Sequence, residues 1–270
     1  MTLDVVARDG LVLLGCGKMG TALLTGWLAA GVPATSVWVI EPNPTEWLKS
    51  SGVHLNKGVP PAPAVALLAV KPQMMGAALP ALQALGNGKT LFVSIAAGTS
   101  IATFEAALGD HTPIVRTMPN TPAMVGRGIT GICANGFAGA AGLALARELM
   151  RAVGQVVDLD GEHQIDAVTA VSGSGPAYVF HLIEAMAAAG VAEGLSPEVA
   201  MQLARATVCG AGELAHQSPE PASQLRINVT SPGGTTAAAL AVLMDEATGF
   251  PPLLSRAVKA AADRGRERGK

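Results

Sequence analysis

Three glycines at fixed spacing constrain the fold of this chain more than any other feature of its sequence. They lie in Gly15-Cys16-Gly17-Lys18-Met19-Gly20, between an apolar run at 11–14 and a helix-like stretch. In this pattern the first glycine permits a tight turn, the second lets the backbone approach a pyrophosphate, and the third allows close helix–strand packing. The helix N-terminus then faces the phosphates. We therefore predict that these six residues bind a dinucleotide, with the Cys16 thiol incidental and Lys18 directed either at phosphate or at solvent.

An acidic residue follows the second predicted strand. Glu41 lies 21 residues beyond Gly20. A carboxylate at this place accepts a hydrogen bond from the ribose 2′-hydroxyl of NAD and repels the 2′-phosphate of NADP. The irregular loop Pro42-Asn43-Pro44 could turn the carboxylate away. The sequence thus slightly favours NADH as the cofactor and leaves NADPH open.

The first 160 residues contain apolar runs bounded by Gly, Pro or Asn, which predict buried strands. Their near-continuous apolar character is typical of parallel strands covered on both faces. Helix-like stretches at 20–30, 101–108 and 138–151 separate several of them. The predicted strands are 11–15, 37–41, 64–70, 90–97, 114–118, 129–133 and 155–159.

Long Ala-rich stretches replace the strand-like runs in the second part of the chain. They cover 176–192, 197–217, 235–246 and 252–267. Pro176 and Pro197 each suit a first helical position. The predicted fold class is therefore α/β, with an N-terminal Rossmann-type doubly wound parallel sheet at 1–160. An all-helical domain follows at 161–270.

Composition limits the possible partners. Only 14% of the residues are charged, against about 25% in typical domains, and 3% are aromatic. Apolar, Ala-rich helices bury their faces best against a partner, so we expect a homodimer and leave open a higher oligomer built of dimers. A net charge of −2 gives no field for nucleic acid, and no uncharged apolar run is long enough to predict a membrane span. Three scattered cysteines predict neither a metal site nor disulfides, and they favour a cytoplasmic location.

Several motifs in register resemble the pyrroline-5-carboxylate reductase family. The likeness extends from about residue 11 to residue 256. The short motifs are Val70-Lys71-Pro72-Gln73, Ser94-Ile95-Ala96-Ala97-Gly98 and Met118-Pro119-Asn120-Thr121-Pro122. The longer ones are Asp166-Ala167-Val168-Thr169-Ala170-Val171-Ser172-Gly173-Ser174-Gly175-Pro176-Ala177-Tyr178 and Val229-Thr230-Ser231-Pro232-Gly233-Gly234-Thr235-Thr236.

The resemblance implies a reaction and further site residues. The reaction is reduction of 1-pyrroline-5-carboxylate to L-proline, the last step of proline biosynthesis, by hydride transfer from NADPH or NADH. It also implies that the helical domain at 161–270 dimerises and binds substrate, with the active site between the cofactor and helices of the partner subunit. Cofactor contacts are implied for Val70, Lys71, Pro72, Ala97 and Asn120. Substrate contacts are implied for Ser231, Gly233, Gly234, Thr235 and Thr236.

The residues of this loop support a carboxylate receptor independently of the family. A glycine-rich turn precedes a helix that has no acidic side chain before Asp245. Such a helix start exposes backbone N–H groups and the positive end of the dipole, so no Arg or Lys is needed. The alternative is a simple N-cap, in which Thr235 satisfies the helix and binds nothing.

No cluster of His, Asp and Glu suggests a catalytic acid or base. A cyclic imine can be protonated before the hydride arrives, so positioning can supply most of the catalysis. We predict that the hydroxyl of Thr236 is the catalytic group that orients the imine nitrogen, with solvent supplying the proton. No metal is expected: His181 and Glu184 lie at i, i+3 without a third ligand.

Two other functions fit parts of the sequence. A 3-hydroxyacid dehydrogenase-like enzyme would need a catalytic lysine and asparagine where this chain has Val179 and Ile183. A non-catalytic nucleotide-binding scaffold predicts a degraded substrate loop, and this loop is intact. Two departures from the family pattern keep the scaffold open, because Ile227 and Pro219 replace expected acids.

Overall fold

The computed structural model describes residues 3–268, so the outermost residues of the two predicted domains, 1–2 and 269–270, lie outside the described part. The strands are β1 Leu11–Leu14, β2 Val37–Ile40, β3 His54–Leu55, β4 Val65–Leu68, β5 Leu91–Ser94, β6 Ile114–Met118, β7 Gly128–Ala134 and β8 Gly154–Asp158. The α-helices are α1 Asp4–Asp9, α2 Lys18–Ala29, α3 Glu46–Ser50, α4 Pro72–Ala78, α5 Ile101–Leu108, α6 Gly139–Arg151, α7 Ile165–Val168, α8 Gly175–Ala192, α9 Pro197–Gln217, α10 Ala222–Asn228, α11 Thr235–Leu243 and α12 Phe250–Arg268.

The eight strands form one sheet in the order β3-β2-β1-β4-β5-β6-β7-β8. All neighbours are parallel except β6 and β7, where Val115 pairs with Ala134 in the antiparallel sense. The predicted parallel sheet is therefore confirmed for β1 to β6, whereas β7 and β8 run the opposite way. The chain moves outward from β1 to β3 and then returns to β4 on the other side of β1. This reversal places a topological switch point between β1 and β4, where ligands bind in open α/β sheets.

Both faces of the sheet are buried. Along β1, Leu11 and Leu13 belong to one apolar cluster, and Val12 and Leu14 belong to the cluster on the opposite face. All four side chains are nearly or fully buried, as the continuous apolar run predicts. A hydrogen bond joins α2 to α6, in which the indole N–H of Trp27 donates to the Leu149 carbonyl at 2.9 Å. The sheet is therefore a rigid support for the loops at its carboxyl edge.

The chain divides into two compact units, Met1–Gly173 with Ala261–Lys270, and Ser174–Ala260. This division differs from the predicted limit at 160/161. Residues 161–173 pack with the sheet unit because Ile165 and Ala170 are buried there. The end of α12 joins the same unit, and a Cβ atom on Gly265 would lie 2.8 Å from an Asp166 carboxylate oxygen.

The helical unit has a small core of its own. In the described chain, Ala187, Ala200 and Ala204 form its buried cluster, with Ile183 packed against it. Many larger apolar side chains are exposed on α8 to α12. By length and composition alone, the continuous helical run Glu162–Ala192 could cross a membrane, and little of its apolar stretch is buried in the single chain. The exposed side chains include Val179, Phe180, Met186, Val199, Leu203, Leu214, Val242, Leu253 and Leu254.

A partly buried ion pair connects the segment after β8 to the sheet. Arg116 on β6 donates from Nη1 to Glu162 Oε1 at 2.6 Å, and the Arg116 side chain is 7% exposed. The same carboxylate oxygen accepts from the Ile101 backbone N–H, at the start of α5, at 2.8 Å. The thiol of Cys133, the register partner of Arg116 on β7, is buried beside this pair. Burial, with a smaller contribution from the Glu162 carboxylate, raises the pKa of Cys133 to about 11, and Arg116 opposes the shift.

This pKa predicts a loss of stability at alkaline pH. An unfolded thiol ionises near pH 8.5, so between about pH 8.5 and 11 the native state binds more protons than the unfolded chain. The free energy of unfolding should therefore fall as pH rises through this window. Thermal unfolding should show a shallower pH dependence for Cys133→Ala than for the wild type. Cys209→Ala, which removes an exposed thiol, should keep the wild-type slope; parallel curves for all three proteins would contradict the prediction.

Candidate functional site

The glycine-rich loop connects β1 to α2 with the geometry of a pyrophosphate cradle. Gly15 has a φ of +88° and donates its N–H to the Ile40 carbonyl at 2.9 Å. A Cβ atom on Gly20 would lie 2.7 Å from the Gly15 carbonyl oxygen, so the helix can approach the turn only without a side chain. Gly17 differs, because a Cβ atom there would meet no protein atom within 4 Å. The first and third glycines thus serve packing, and the second opens space at the helix N-terminus.

The N-terminus of α2 has no side-chain cap. Gly17 is the N-cap, and no acidic side chain lies in the first turn. Its backbone N–H groups therefore suit an anionic ligand. Lys18 is exposed and Met19 is partly buried at this start. The Cys16 thiol is buried 3.6 Å from the Thr21 hydroxyl, and burial is the main cause of its raised pKa. A buried, protonated thiol fits the incidental role that the sequence predicts for it.

Glu41 faces the glycine-rich loop. Its Oε2 accepts from the Cys16 backbone N–H at 2.8 Å, and its Oε1 accepts from the Asn43 N–H at 2.9 Å. Asn56 holds the Glu41 backbone by accepting from its N–H and donating to its carbonyl, both at 2.9 Å. The loop that starts at Pro42 therefore fixes the carboxylate toward the dinucleotide loop instead of turning it away.

The other predicted cofactor residues also follow the carboxyl ends of parallel strands. Val70, Lys71 and Pro72 follow β4, and a Cβ atom on Gly15 would lie 2.8 Å from Val70 Cγ1. Ala97 follows β5 and is exposed. Asn120 follows β6 and is buried, with its side-chain oxygen accepting from the Ile129 N–H at 2.9 Å. Because these strands are parallel, the sheet brings all these segments to the edge that carries the glycine-rich loop.

The predicted substrate loop lies between α10 and α11 in the helical unit. Gly234 donates its N–H to the Ser231 carbonyl at 3.0 Å, and Gly233 has a φ of +71°. The N-cap of α11 is Gly234, with no side-chain cap and no acidic residue in the first turn. Thr235 is the first helical residue, so the alternative in which its side chain caps the helix is not realised. The Thr235 side chain is exposed, and that of Thr236 is partly buried.

The two residues that replace expected acids, Ile227 and Pro219, precede this loop in the sequence. At the C-terminal end of α10, Ile227 is 53% exposed. The next residue, Asn228, donates to Glu220 Oε2 at 2.9 Å and accepts from Gln224 at 2.8 Å. Glu220, which follows Pro219 directly, thus supplies a carboxylate to the residue at the start of the loop. The sequence alone does not indicate this contact, since Asn228 lies eight residues from Glu220.

No metal centre appears in the described residues, among which no group of three His, Cys, Asp or Glu side chains is placed to hold an ion. His181 Nδ1 lies 3.1 Å from Glu184 Oε2, and both side chains are largely exposed. This pair on α8 is a surface contact. Within residues 3–268, the predicted sites therefore offer backbone N–H groups, hydroxyls, the Glu41 carboxylate, the Asn120 amide and the side chains of Lys18 and Lys71.

The doubly wound sheet and the glycine-rich loop at its switch point place the chain among the Rossmann-type dinucleotide-binding proteins. Similarity to known proteins indicates which family within this class the chain resembles. The model of the pyrroline-5-carboxylate reductase dimerisation domain matches residues 162–268, and the model described as NADP oxidoreductase, coenzyme F420-dependent, matches residues 11–98. A pyrroline-5-carboxylate reductase of Pseudomonas aeruginosa is 43% identical over 263 residues, which cover 95% of this chain and 96% of that protein.

Solved structures agree with the sequence relatives. A pyrroline-5-carboxylate reductase from Coxiella burnetii has a TM-score of 0.91 and 35% identity, covering 97% of this chain and 99% of the other. The Plasmodium falciparum pyrroline carboxylate reductase with NADP bound has a TM-score of 0.82 and 30% identity over the same shares. This chain belongs to the pyrroline-5-carboxylate reductase family. The resemblance and the fold class that the sequence predicts are thereby confirmed.

Proposed function

We propose that this protein reduces 1-pyrroline-5-carboxylate to L-proline with hydride from NADPH or NADH, the last step of proline biosynthesis. The observation that carries the proposal is 43% identity, over 95% of the chain, to a reductase of that name. The cradle at Gly15–Gly20 supports the cofactor. The uncapped start of α11 supports the substrate carboxylate.

The chain's own residues bind and orient the two reactants. On the cofactor side these are the glycine-rich loop, Glu41, the segment 70–72, Ala97 and Asn120. The dinucleotide supplies a hydride from C4 of its nicotinamide ring. On the substrate side, the N–H groups at the start of α11 and the Ser231 hydroxyl bind the carboxylate without a basic side chain. Binding through backbone N–H groups and a hydroxyl suits an anionic substrate in a protein that has few charged residues.

Thr236 is the residue that orients the reacting nitrogen. The ring nitrogen takes a proton from solvent, and the imine carbon then receives the hydride and its electron pair. The C=N double bond becomes a single bond, and the product is a secondary amine. The Thr236 hydroxyl accepts a hydrogen bond from the protonated nitrogen, so it holds the imine carbon in line with the hydride. Positioning of this kind can supply about 7–11 kcal/mol of the barrier reduction.

The protein acts as a homo-oligomer, with the dimer as its basic unit. The exposed apolar side chains of α8 to α12 support this arrangement, because a monomer rarely leaves so large an apolar surface in water. A partner subunit also gives the apolar helical run Glu162–Ala192 a surface to pack against, so it needs no membrane. The cytoplasm, where a small charged substrate and reduced dinucleotides occur together, is the proposed location.

Purified protein mixed with 1-pyrroline-5-carboxylate and NADPH or NADH should oxidise the dinucleotide, followed as loss of absorbance, and should form one proline per dinucleotide oxidised. A 3-hydroxyacid with NAD⁺ is the control substrate and should give no turnover, since alcohol oxidation needs a base that the loop does not offer. Absence of oxidation with both reduced dinucleotides would refute the proposal and would favour the scaffold function.

A further inference from the structure

The start of α5 is held by a side chain from a distant part of the chain. Glu162 Oε1 accepts from the Ile101 backbone N–H at 2.8 Å, although the two residues lie 61 positions apart. Ile101 is the first residue of α5, so its N–H has no partner within the helix. Ser100 is the N-cap, and its hydroxyl accepts from the Thr103 N–H at 3.2 Å. The cap and Glu162 therefore satisfy one free N–H group each at this helix start.

The loop between β5 and α5, residues 95–100, is also fixed at the end that leaves the sheet. The Ala96 N–H donates to the hydroxyl of Ser94 at 3.1 Å, and Ser94 is a fully buried residue of β5. Ala97, for which a cofactor contact is proposed, is exposed within this loop. The contact between Glu162 and α5 thus anchors the second end of a short loop whose first end is anchored by the sheet.

The position of the Glu162 carboxylate is set by Arg116 on β6. Arg116 Nη1 donates to the same carboxylate oxygen at 2.6 Å. The Arg116 side chain is buried, and within residues 3–268 its Nε has no hydrogen-bond partner. An ion pair with a buried and incompletely satisfied member contributes little to stability, because well-packed apolar side chains in its place are often neutral or stabilising. The stability of the fold therefore does not explain why this pair is present.

We propose that Glu162 is a positioning residue for the dinucleotide: held by Arg116, it fixes the loop 95–100 in the conformation that contacts the cofactor. A loop that is ordered before binding loses less conformational entropy when the ligand binds, so the affinity is higher. The inference rests on the proposed cofactor contact of Ala97 and not on the proposed reaction, because the effect is on dinucleotide binding. Glu162 itself lies outside every segment that is predicted to contact the cofactor.

Two double variants separate this role from a contribution to folding. Arg116→Met/Glu162→Leu removes both charges and the acceptor for the Ile101 N–H. Arg116→Met/Glu162→Gln removes both charges and keeps an acceptor, the amide oxygen. Neither variant contains an unpaired buried charge, so both should fold and should unfold at similar temperatures. Amide hydrogen exchange should show a protected Ile101 N–H in the wild type and in the glutamine variant, and faster exchange in the leucine variant.

Titration of the whole proteins with NADH and with NADPH, followed by dinucleotide fluorescence, measures the consequence for binding. The leucine variant should bind the dinucleotide about fivefold or more weakly than the glutamine variant. The glutamine variant should stay within about twofold of the wild type. Arg147→Met/Asp158→Leu, which removes a more exposed ion pair between α6 and β8, is the control and should keep the wild-type affinity.

A second pair of variants tests the same contact with the ion pair intact, and it decides the question if the leucine variant does not fold. Ile101→Pro removes the N–H at a first helical position, where proline is well tolerated, and Ile101→Ala shortens the side chain but keeps the N–H. The proline variant should bind the dinucleotide more weakly than the alanine variant.

Equal dinucleotide affinities within either pair of variants would overturn the inference. A fully protected Ile101 N–H in the leucine variant would do so as well, because another group would then hold the start of α5. Failure of the proposed reaction would be seen separately, as the expected differences in dinucleotide binding without oxidation in the presence of 1-pyrroline-5-carboxylate.

Discussion

Gly17→Val should weaken dinucleotide binding by about 100-fold or more and leave the protein folded. A Cβ atom at Gly17 meets no protein atom within 4 Å, and its φ of −69° is ordinary for any L-residue. The added side chain would fill the space through which the backbone approaches the pyrophosphate. Hydrogen bonds to charged groups contribute about 1.5–3 kcal/mol each, so losing one or two of them accounts for the expected factor. Valine is a poor N-cap, and the free energy of unfolding should fall by only about 1 kcal/mol.

Gly20→Ala is the matched variant. It changes the same motif at a position where the missing side chain matters for packing within the protein and not for space at the ligand. Its Cβ atom would lie 2.7 Å from the Gly15 carbonyl oxygen, so α2 must move away from the turn. This variant should lose stability by more than the Gly17 variant, together with dinucleotide affinity. Calorimetric melting of both apoproteins and titration with NADH separate the two effects. Wild-type affinity in Gly17→Val would show that the pyrophosphate does not bind at this loop.

The strands were the most predictable part of the fold. Burial on both faces leaves a continuous apolar run in the sequence, and each of the seven predicted strands exists within a few residues of its expected bounds. The two-residue strand His54–Leu55 and the short helices α1, α3, α4, α7 and α10 were not predicted. Segments this short contain too few residues to show a period, and their conformation depends on tertiary packing.

The direction of β7 could have been inferred, but apolar content alone does not reveal it. Only residues 119–127 separate β6 from β7. A parallel connection needs a crossover of about a dozen residues or more, so a nine-residue connection indicates an antiparallel pair. Here a short 3₁₀ turn at Thr121–Val125 ends in Gly126, whose φ of +69° turns the chain back. The length of the connection between β6 and β7 is the feature of the sequence that indicates the direction of β7.

The sequence predicts which residues form the candidate site, but it does not predict the contacts among them. The glycine spacing identifies the loop because Gly15 and Gly20 meet packing requirements that a larger residue cannot, and Gly17 leaves open space at the helix N-terminus. The direction of the Glu41 carboxylate is different, since it depends on Cys16 and Asn56, which lie 25 and 15 residues away in the chain. The contact between Glu220 and Asn228 likewise depends on how α10 is set against the turn before it. Such contacts follow from the fold as a whole.

Thr236→Val should lower kcat by about 10- to 100-fold and leave NADH affinity within about twofold of the wild type. Valine keeps the shape and the β-branch of threonine, so the first turn of α11 is preserved. What disappears is the hydroxyl that accepts from the protonated imine nitrogen. A hydrogen bond to a charged group contributes about 1.5–3 kcal/mol, which corresponds to the expected factor. The measurement is steady-state reduction of 1-pyrroline-5-carboxylate, with kcat and KM determined separately.

Two neighbouring variants determine whether the effect belongs to this hydroxyl. Thr236→Ser restores the hydroxyl and should recover most of the turnover. Thr235→Val removes the exposed hydroxyl of the preceding residue and should raise KM more than it lowers kcat, because Thr235 is proposed to contact substrate and not the reacting nitrogen. If Thr236→Val instead loses NADH affinity, the start of α11 serves the cofactor and the substrate must bind elsewhere. If Thr236→Ser is as slow as Thr236→Val, the hydroxyl alone does not position the imine, and the proposed role of Thr236 as the residue that orients the reacting nitrogen is contradicted.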